Sequence, residues 1–209
     1  MIRTTFLKKI WPLLLILLMA LPANARADDF EKLRKDSARI QTISADFVQK
    51  KSMKILSKPL VSEGKFYYAA PDSIRWEYVK PLKSVVVSEK GKTRRYMAAG
   101  GKMIEDKTGG AQAMKIVLDE VAGWMGGRFT ANPSFTAVLK EGPMTQITLT
   151  PAGKGMAGMI EKIEITISRK DASVQSVRIV ESATAETRID FKNVVINQSI
   201  QPSVFRDAP

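Results

Sequence analysis

Short runs in which apolar and polar residues alternate fill most of the chain after residue 42, and they constrain the fold more than any other feature. The clearest run holds Ile163, Ile165 and Ile167, separated by Glu164 and Thr166. A period of two residues is typical of a strand with one buried and one exposed face. About ten such runs are joined by short connections, which favour antiparallel pairing. They cover residues 43–51, 65–69, 74–79, 85–88, 93–97, 136–140, 144–150, 160–168, 174–181 and 187–197.

One long amphipathic helix interrupts these runs. Met114, Val117, Leu118, Val121 and Met125 recur at helical intervals. Strands precede and follow this helix, so we expect it to lie across a sheet and act as a lid. A flat sheet of about ten strands would normally curl or close. The sequence therefore predicts a mainly β protein of the α+β class: a curved, mostly antiparallel, incomplete β-barrel closed by a helical lid.

The N-terminal 27 residues have the pattern of an export signal. Three basic residues precede an apolar run over 10–21, and small residues follow it. The run is shorter than the about 20 residues that a membrane-spanning helix needs. We predict a signal peptide over 1–27, cleaved near residues 25–27, export to the periplasm and one domain over 28–209. An uncleaved membrane anchor is the alternative.

The mature domain is predicted to begin with a helix. Asp28 or Asp29 is suited to cap it, because a short acidic side chain accepts hydrogen bonds from the first free N–H groups of a helix. Its apolar side is predicted to consist of Phe30, Leu33, Ile40 and Ile43.

Composition excludes several kinds of chemistry. The chain has no Cys and no His, which are the ligands that structural zinc and copper sites use. A Ser-His or Cys-His nucleophile cannot be assembled, and no thiol near the cleavage site is available for lipidation. The formal charge is +12, and loss of the four basic residues of the leader lowers it to +8. That charge favours acidic partners or an anionic membrane, while export argues against nucleic acid.

Two further patterns resemble enzyme motifs, and both have simpler interpretations. Gly153, Gly155 and Gly158 have the spacing of a dinucleotide fingerprint, but a predicted strand follows where that motif needs a helix. A loop between strands is the preferred interpretation. The carboxylates mostly stand beside Lys or Arg, which is typical of solvated charge. We therefore predict no catalytic residue, no cofactor and no metal. A periplasmic hydrolase, which would need converging carboxylates in a polar cleft, stays open as an alternative function.

The aromatic-rich segment over 64–81 is the most distinctive part of the chain. It contains Gly-Lys-Phe at 64–66, a turn proline at 71, Arg-Trp-Glu-Tyr at 75–78 and a proline at 81. With Ala-Asp-Phe-Val-Gln at 45–49 and the closing segment 197–205, these residues resemble the periplasmic outer-membrane lipoprotein carrier (LolA) family. One departure is Ala70, because studied members of that family place a basic residue before the turn proline to hold the lid shut.

The resemblance implies a carrier that shields acyl chains in a hydrophobic cavity without a covalent step. Its implied partners are acylated lipoproteins, an ATP-driven ABC-type releasing complex in the inner membrane and an outer-membrane acceptor, and the carrier is expected to be a monomer. Arg75 is the candidate for hydrogen bonds between lid and sheet. The implied cavity and lid residues are Phe47, Phe66, Trp76, Tyr78, Leu118, Trp124 and Phe129.

Two alternatives stay open at this stage. For each aromatic residue taken singly, an ordinary core position is the simpler interpretation, because cores are built from such side chains. A LolA-like carrier or sensor of another lipid, such as a glycolipid, a polyene lipid or an envelope-stress signal, is the alternative function, because similar folds serve several roles.

Overall fold

The computed structural model describes residues 24–107, 110–153 and 158–206, and within them eleven strands form a single antiparallel sheet. Two helices accompany the sheet: α1 over Asn24–Ser37 and α2 over Gly110–Met125. The strands are β1 Thr42–Met53, β2 Leu60–Ala69, β3 Ser73–Lys80, β4 Ser84–Glu89, β5 Lys92–Ala99, β6 Lys102–Glu105, β7 Phe135–Lys140, β8 Thr145–Pro151, β9 Lys162–Ile167, β10 Val174–Ser182 and β11 Ala185–Ile196.

The sheet is an open, incomplete barrel. Its strand order is β6-β5-β4-β3-β2-β1-β11-β10-β9-β8-β7, so the first and last strands of the chain pair at the centre. The edge strands β6 and β7 do not pair with each other, and α2 is the segment of chain that runs between them. α2 contacts β3, β4 and β5. The predicted class, a mainly β fold with a helical lid, is confirmed.

The alternation in the sequence matches the burial of the strands. In β9, Ile163, Ile165 and Ile167 are buried, and the residues between them are only partly buried. All ten predicted runs correspond to strands. The edge strand β6 was not predicted, because its four residues are mostly exposed and carry little apolar alternation.

The prediction for the first helix was partly wrong. α1 begins at Asn24, before Asp28 and Asp29, so neither aspartate stands at its N-terminus. The helix ends at Ser37, where Ile40 N–H bonds to the Ser37 carbonyl in the following turn. Ile40 lies in that turn and Ile43 lies on β1, although both side chains are buried in the same core as Leu33. Ile40 and Ile43 are predicted on the helix because they fall at helical intervals in the sequence. They face the same core from a turn and from a strand.

The predicted loop that contains the glycine motif joins two strands. β8 ends at Pro151 and β9 begins at Lys162, so Gly153 and Gly158 lie in a strand-to-strand connection. Residues 154–157 of this motif lie outside the described residues. The predicted signal peptide, apart from residues 24–27 at the start of α1, also lies outside them.

The convex face of the sheet carries a second, smaller core under the C-terminal segment. A short 3-10 helix over Pro202–Phe205 places the buried side chain of Phe205 against Val85 and Val87 of β4. Apolar burial of this kind fixes the end of the chain to the sheet. In the described part of the chain, neither helix is long and apolar enough to cross a membrane.

Candidate functional site

The pairing of the central strands brings aromatic side chains to one face of the sheet. Phe47 of β1 pairs with Phe191 of β11, and Phe66 of β2 pairs with Trp76 of β3. Tyr78 lies two residues after Trp76 and therefore on the same face. We call these five side chains the aromatic cluster.

The rings of the aromatic cluster are in direct contact. The Trp76 ring centroid lies 4.9 Å from that of Phe47 and 5.4 Å from that of Phe66. Phe66 lies 5.3 Å from Phe191, and Phe47 meets Tyr78 edge-on at 5.2 Å. These separations are within the 4.5–7 Å range over which aromatic pairs attract one another. The cluster is a continuous apolar surface at the centre of the sheet.

A polar group marks one margin of this surface. The Tyr78 hydroxyl donates a hydrogen bond to Gln49 Oε1 at 2.8 Å. Burial is the largest effect on this group and raises the pKa of the Tyr78 hydroxyl, while the neighbouring Trp76 and Gln49 side chains lower it. The indole N–H of Trp76 is buried and does not reach hydrogen-bond geometry with any acceptor in the described residues. The polar atoms of the cluster are therefore this indole N–H, unpaired among the described residues, and the Tyr78 hydroxyl, which is bonded to Gln49.

Helix α2 supplies the other wall of the site. Its buried residues Leu118, Val121, Trp124 and Met125 belong to the same core as the aromatic cluster, as does Phe129 just after the helix. The side-chain hydrogen bonds described for α2 run within the helix, from Lys115 to Asp119, and to the following loop, from Asn132 to Glu120. The described contact of α2 with the sheet is consequently apolar. Hydrophobic attraction of this kind does not depend on the orientation of the groups in contact.

The C-terminal end of α2 is anchored to α1. Gly127 has φ +77°, a left-handed conformation in which glycine avoids the strain of a side chain. A Cβ atom at Gly127 would lie 2.8 Å from Cβ of Ser37 and 3.0 Å from Cα of Arg34. The two helices therefore approach each other at this glycine.

All seven residues predicted for the cavity and lid lie in one core. Phe47, Phe66, Trp76 and Tyr78 come from the sheet, and Leu118, Trp124 and Phe129 come from α2 and the residues after it. Their contact with lipid stays a prediction. Phe191 is not among these seven residues, although it contacts both Phe66 and Trp76. Phe191 lies in the predicted strand 187–197, where apolar and polar residues alternate, and this pattern indicates that it is buried. Its pairing with Phe47 depends on the order of the strands in the sheet, which the pattern does not give.

The described bonds of Arg75 lead to the C-terminal segment. Its Nε donates to Glu77 Oε2 at 2.8 Å, and NH1 donates to the Val204 carbonyl at 3.2 Å. Arg75 pairs with Val87 on the convex face, opposite to Trp76. A bond between Arg75 and the lid stays a prediction, and unchanged lipid loading and release by Arg75→Leu would contradict it.

Side chains of the sheet and of α2 are deeply buried in one core. Phe66, Ile74 and Leu118 are almost completely buried there. Two hollows in the described part of the chain lie elsewhere: a cleft of about 100 Å³ beside α1, and a larger one of about 500 Å³ near Ser52, Met53 and Thr184. Neither is lined by the aromatic cluster. In the described residues the lid contacts the sheet directly, at β3, β4 and β5.

The sheet is an open antiparallel barrel with an aromatic inner face and an apolar lid. These features define a protein that binds apolar ligands. The chain belongs to the family described as Outer membrane lipoprotein carrier protein LolA, whose family model matches residues 38–207. This match covers the whole sheet and the whole of α2. The resemblance inferred from the sequence is therefore confirmed.

Individual relatives are distant in sequence. The chain is 22% identical over 207 residues to a protein from Pseudoalteromonas translucida (strain TAC 125) named Outer-membrane lipoprotein carrier protein, covering 97% of this chain and 94% of that one. An uncharacterized conserved protein from Thermus thermophilus is 9% identical with a TM-score of 0.55, over 88% of this chain and 94% of that one. MucB in the Pseudomonas aeruginosa MucA/MucB complex is 13% identical with a TM-score of 0.51, over 88% of this chain and 61% of that one. The structural likenesses show a shared fold.

Proposed function

We propose that this chain is a periplasmic carrier that shelters the acyl chains of lipoproteins between its sheet and α2 and moves them from the inner to the outer membrane. The observation that carries the proposal is the apolar interface itself. The aromatic cluster on the sheet meets a lid whose buried side chains are Leu118, Val121, Trp124 and Met125. Family membership and the name of the Pseudoalteromonas relative support the same function.

Such a carrier works by transfer of an acyl chain from water to an apolar protein interior, and no covalent bond is made or broken. Removing an acyl chain of sixteen carbons from water is worth about 12 kcal/mol, at about 0.8 kcal/mol per CH₂ group. Because side chains of the sheet and of α2 are buried against one another in one core, an acyl chain would enter by separating α2 from the sheet. The acyl chain would then pack against the apolar side chains that this opening separates. Loading and release would thus be coupled to the position of the lid.

The partners follow from the same scheme. An ATP-driven ABC-type complex in the inner membrane would hand over the lipoprotein, because so large a transfer free energy opposes spontaneous extraction. An outer-membrane acceptor would take it up by offering a competing apolar site. The carrier itself would act as a monomer.

Two tryptophans make the lid position measurable. After removal of the predicted leader, Trp76 on the sheet and Trp124 on the lid are the two that remain. Trp124→Phe would leave Trp76 as a single reporter, and Trp76→Phe would leave Trp124. Addition of a diacylated lipopeptide is expected to change the emission of both reporters, and addition of the unacylated peptide is expected to change neither. A lipopeptide that binds without changing either reporter would contradict binding under the lid.

The identity of the cargo requires a separate experiment. The mature protein would be purified from the periplasm, and co-purifying molecules would be identified by mass spectrometry. Acylated polypeptides are the expected result. Free glycolipid or polyene lipid would instead favour a carrier or sensor of another lipid and would contradict the lipoprotein assignment.

A further inference from the structure

One end of the sheet collects five of the connections between strands, and four of these lie next to one another between β6 and β10. Because neighbouring strands are antiparallel, the connections β1–β2, β3–β4, β5–β6 and β10–β11 all lie at the end where β1 terminates. They comprise residues 54–59, 81–83, 100–101 and 183–184. We call these four connections the loop end.

Large apolar side chains project into solvent at the loop end. Ile55 in the first connection is 87% exposed, and Leu82 in the second is 78% exposed. Leu60 and Val61, at the start of β2 beside these connections, are also exposed. A single exposed apolar residue needs no explanation, but several at one end of a molecule are typical of an interaction surface.

The four connections of the loop end carry charge of one sign, whereas β8–β9, the fifth connection at this end of the sheet, contains Glu161. Lys54, Lys58 and Lys83 lie in the connections and Lys102 begins β6, and none of them takes part in an ion pair described in the structure. None of the four connections contains an aspartate or glutamate. The connections at the opposite end mix the signs, since they include Asp72, Glu141 and Asp171 along with lysines. The positive charge therefore accompanies the exposed apolar residues.

We propose that the loop end docks on the surface of an anionic lipid bilayer. Lysines would lie against phosphate headgroups, while Ile55 and Leu82 enter the boundary between headgroups and acyl chains. A bilayer fits this surface better than a protein partner does, because Ile55 and Leu82 are highly exposed and neither lines the hollow near Ser52, Met53 and Thr184. Tyr78, at the margin of the aromatic cluster, lies two residues before the end of β3 at Lys80, so docking would bring that margin towards the membrane. The proposal does not depend on which lipid lies under the lid.

Vesicle co-sedimentation of the mature protein would test the electrostatic part. Vesicles of phosphatidylcholine alone would be compared with vesicles of equal parts phosphatidylcholine and phosphatidylglycerol. Each lysine near an anionic surface contributes about fivefold in binding, so the triple variant Lys54→Gln, Lys58→Gln, Lys83→Gln is expected to bind anionic vesicles about a hundredfold more weakly. The matched control, Lys90→Gln, Lys140→Gln, Lys170→Gln, changes the net charge equally at the opposite end and is expected to bind like the unmodified protein.

The apolar part is tested by Ile55→Ser with Leu82→Ser. This variant is expected to lose about tenfold in binding to anionic vesicles, while Val138→Ser on the edge strand β7 is expected to lose none. Equal effects of the two lysine sets, or equal binding to neutral and anionic vesicles, would overturn the proposal. Absence of binding to either kind of vesicle would overturn it too. In that case, cross-linking from Leu82 to a membrane protein would identify a protein-docking surface instead.

Discussion

A Cβ atom added at Gly64 would lie 2.4 Å from Cζ of Phe47. The two residues pair across β1 and β2, so the phenyl ring of Phe47 occupies the space above the glycine. The carbonyl oxygen of Glu77 would be 2.1 Å from the same added atom. The central aromatic ring of the site therefore depends on a glycine in the neighbouring strand.

Gly64→Ala is expected to destabilise the protein. Both the Phe47 ring and the Glu77 backbone would have to move, and overpacking a core typically costs about 1–3 kcal/mol, with the upper end expected because one of the two clashes involves backbone. Urea unfolding would measure the change. Gly153→Ala is the matched control, since no atom of the described residues lies within 4 Å of its added Cβ, and it is expected to leave stability unchanged. Equal stabilities of the two variants would contradict the packing described.

Leu118→Ser and Val117→Ser form a pair of neighbouring substitutions on α2. Leu118 is 1% exposed and faces the sheet, while Val117 is 48% exposed. Truncating a buried leucine costs about 2–5 kcal/mol, and the new hydroxyl would add to that cost. We expect the Leu118 variant to weaken the lid, with faster hydrogen exchange in α2 and greater quenching of Trp124 by acrylamide. Similar behaviour of both variants would show that α2 does not close on the sheet through this face.

Phe205→Ala is expected to release the C-terminal segment from the convex face. Phe205 packs on Val85 and Val87, and its loss should cost about 3–5 kcal/mol if the segment cannot collapse onto the space left. Limited proteolysis would show earlier cleavage near the C-terminus. Ser203→Ala, at an exposed position of the same 3-10 helix, is the control and should be cleaved like the unmodified protein.

Acid stability should depend modestly on Glu164. Lys162 Nζ lies 2.6 Å from Glu164 Oε1, and Arg178 NH1 lies 2.8 Å from Oε2. Hydrogen bonds from Lys162 and then Arg178 lower the pKa of Glu164 below its usual value of 4.5, so its contribution is present above that pH and is lost as pH falls through the lowered pKa. The group is partly exposed, so we expect less than about 1 kcal/mol.

Glu164→Gln would measure this contribution. The difference in the free energy of unfolding between the two proteins should be larger at neutral pH than in acid well below pH 4.5. A difference that stays constant over this range would contradict the electrostatic origin.

Much of the fold could be predicted from local pattern. A residue's place in an alternating run fixes which face of a strand it joins, which is why Ile163, Ile165 and Ile167 could be expected to share one buried face. The limits of α1 could not be predicted, because Ile40 and Ile43 fall at helical spacing and face the same core from a turn and a strand. β6 escaped prediction because an edge strand with mostly exposed residues carries little apolar signal.

The order of the strands in the sheet is the main feature that the sequence did not determine and the tertiary structure did. Alternating residues, a lone amphipathic helix and the lack of Cys and His determined a mainly β protein with a lid and without thiol or imidazole chemistry, since these properties depend on residues close together in the chain. The pairing of β1 with β11, the contact of Phe191 with Phe66 and Trp76, and the attachment of Arg75 to Val204 join residues far apart in the chain. Such contacts depend on which surfaces meet when the whole sheet forms, and only the folded molecule decides that.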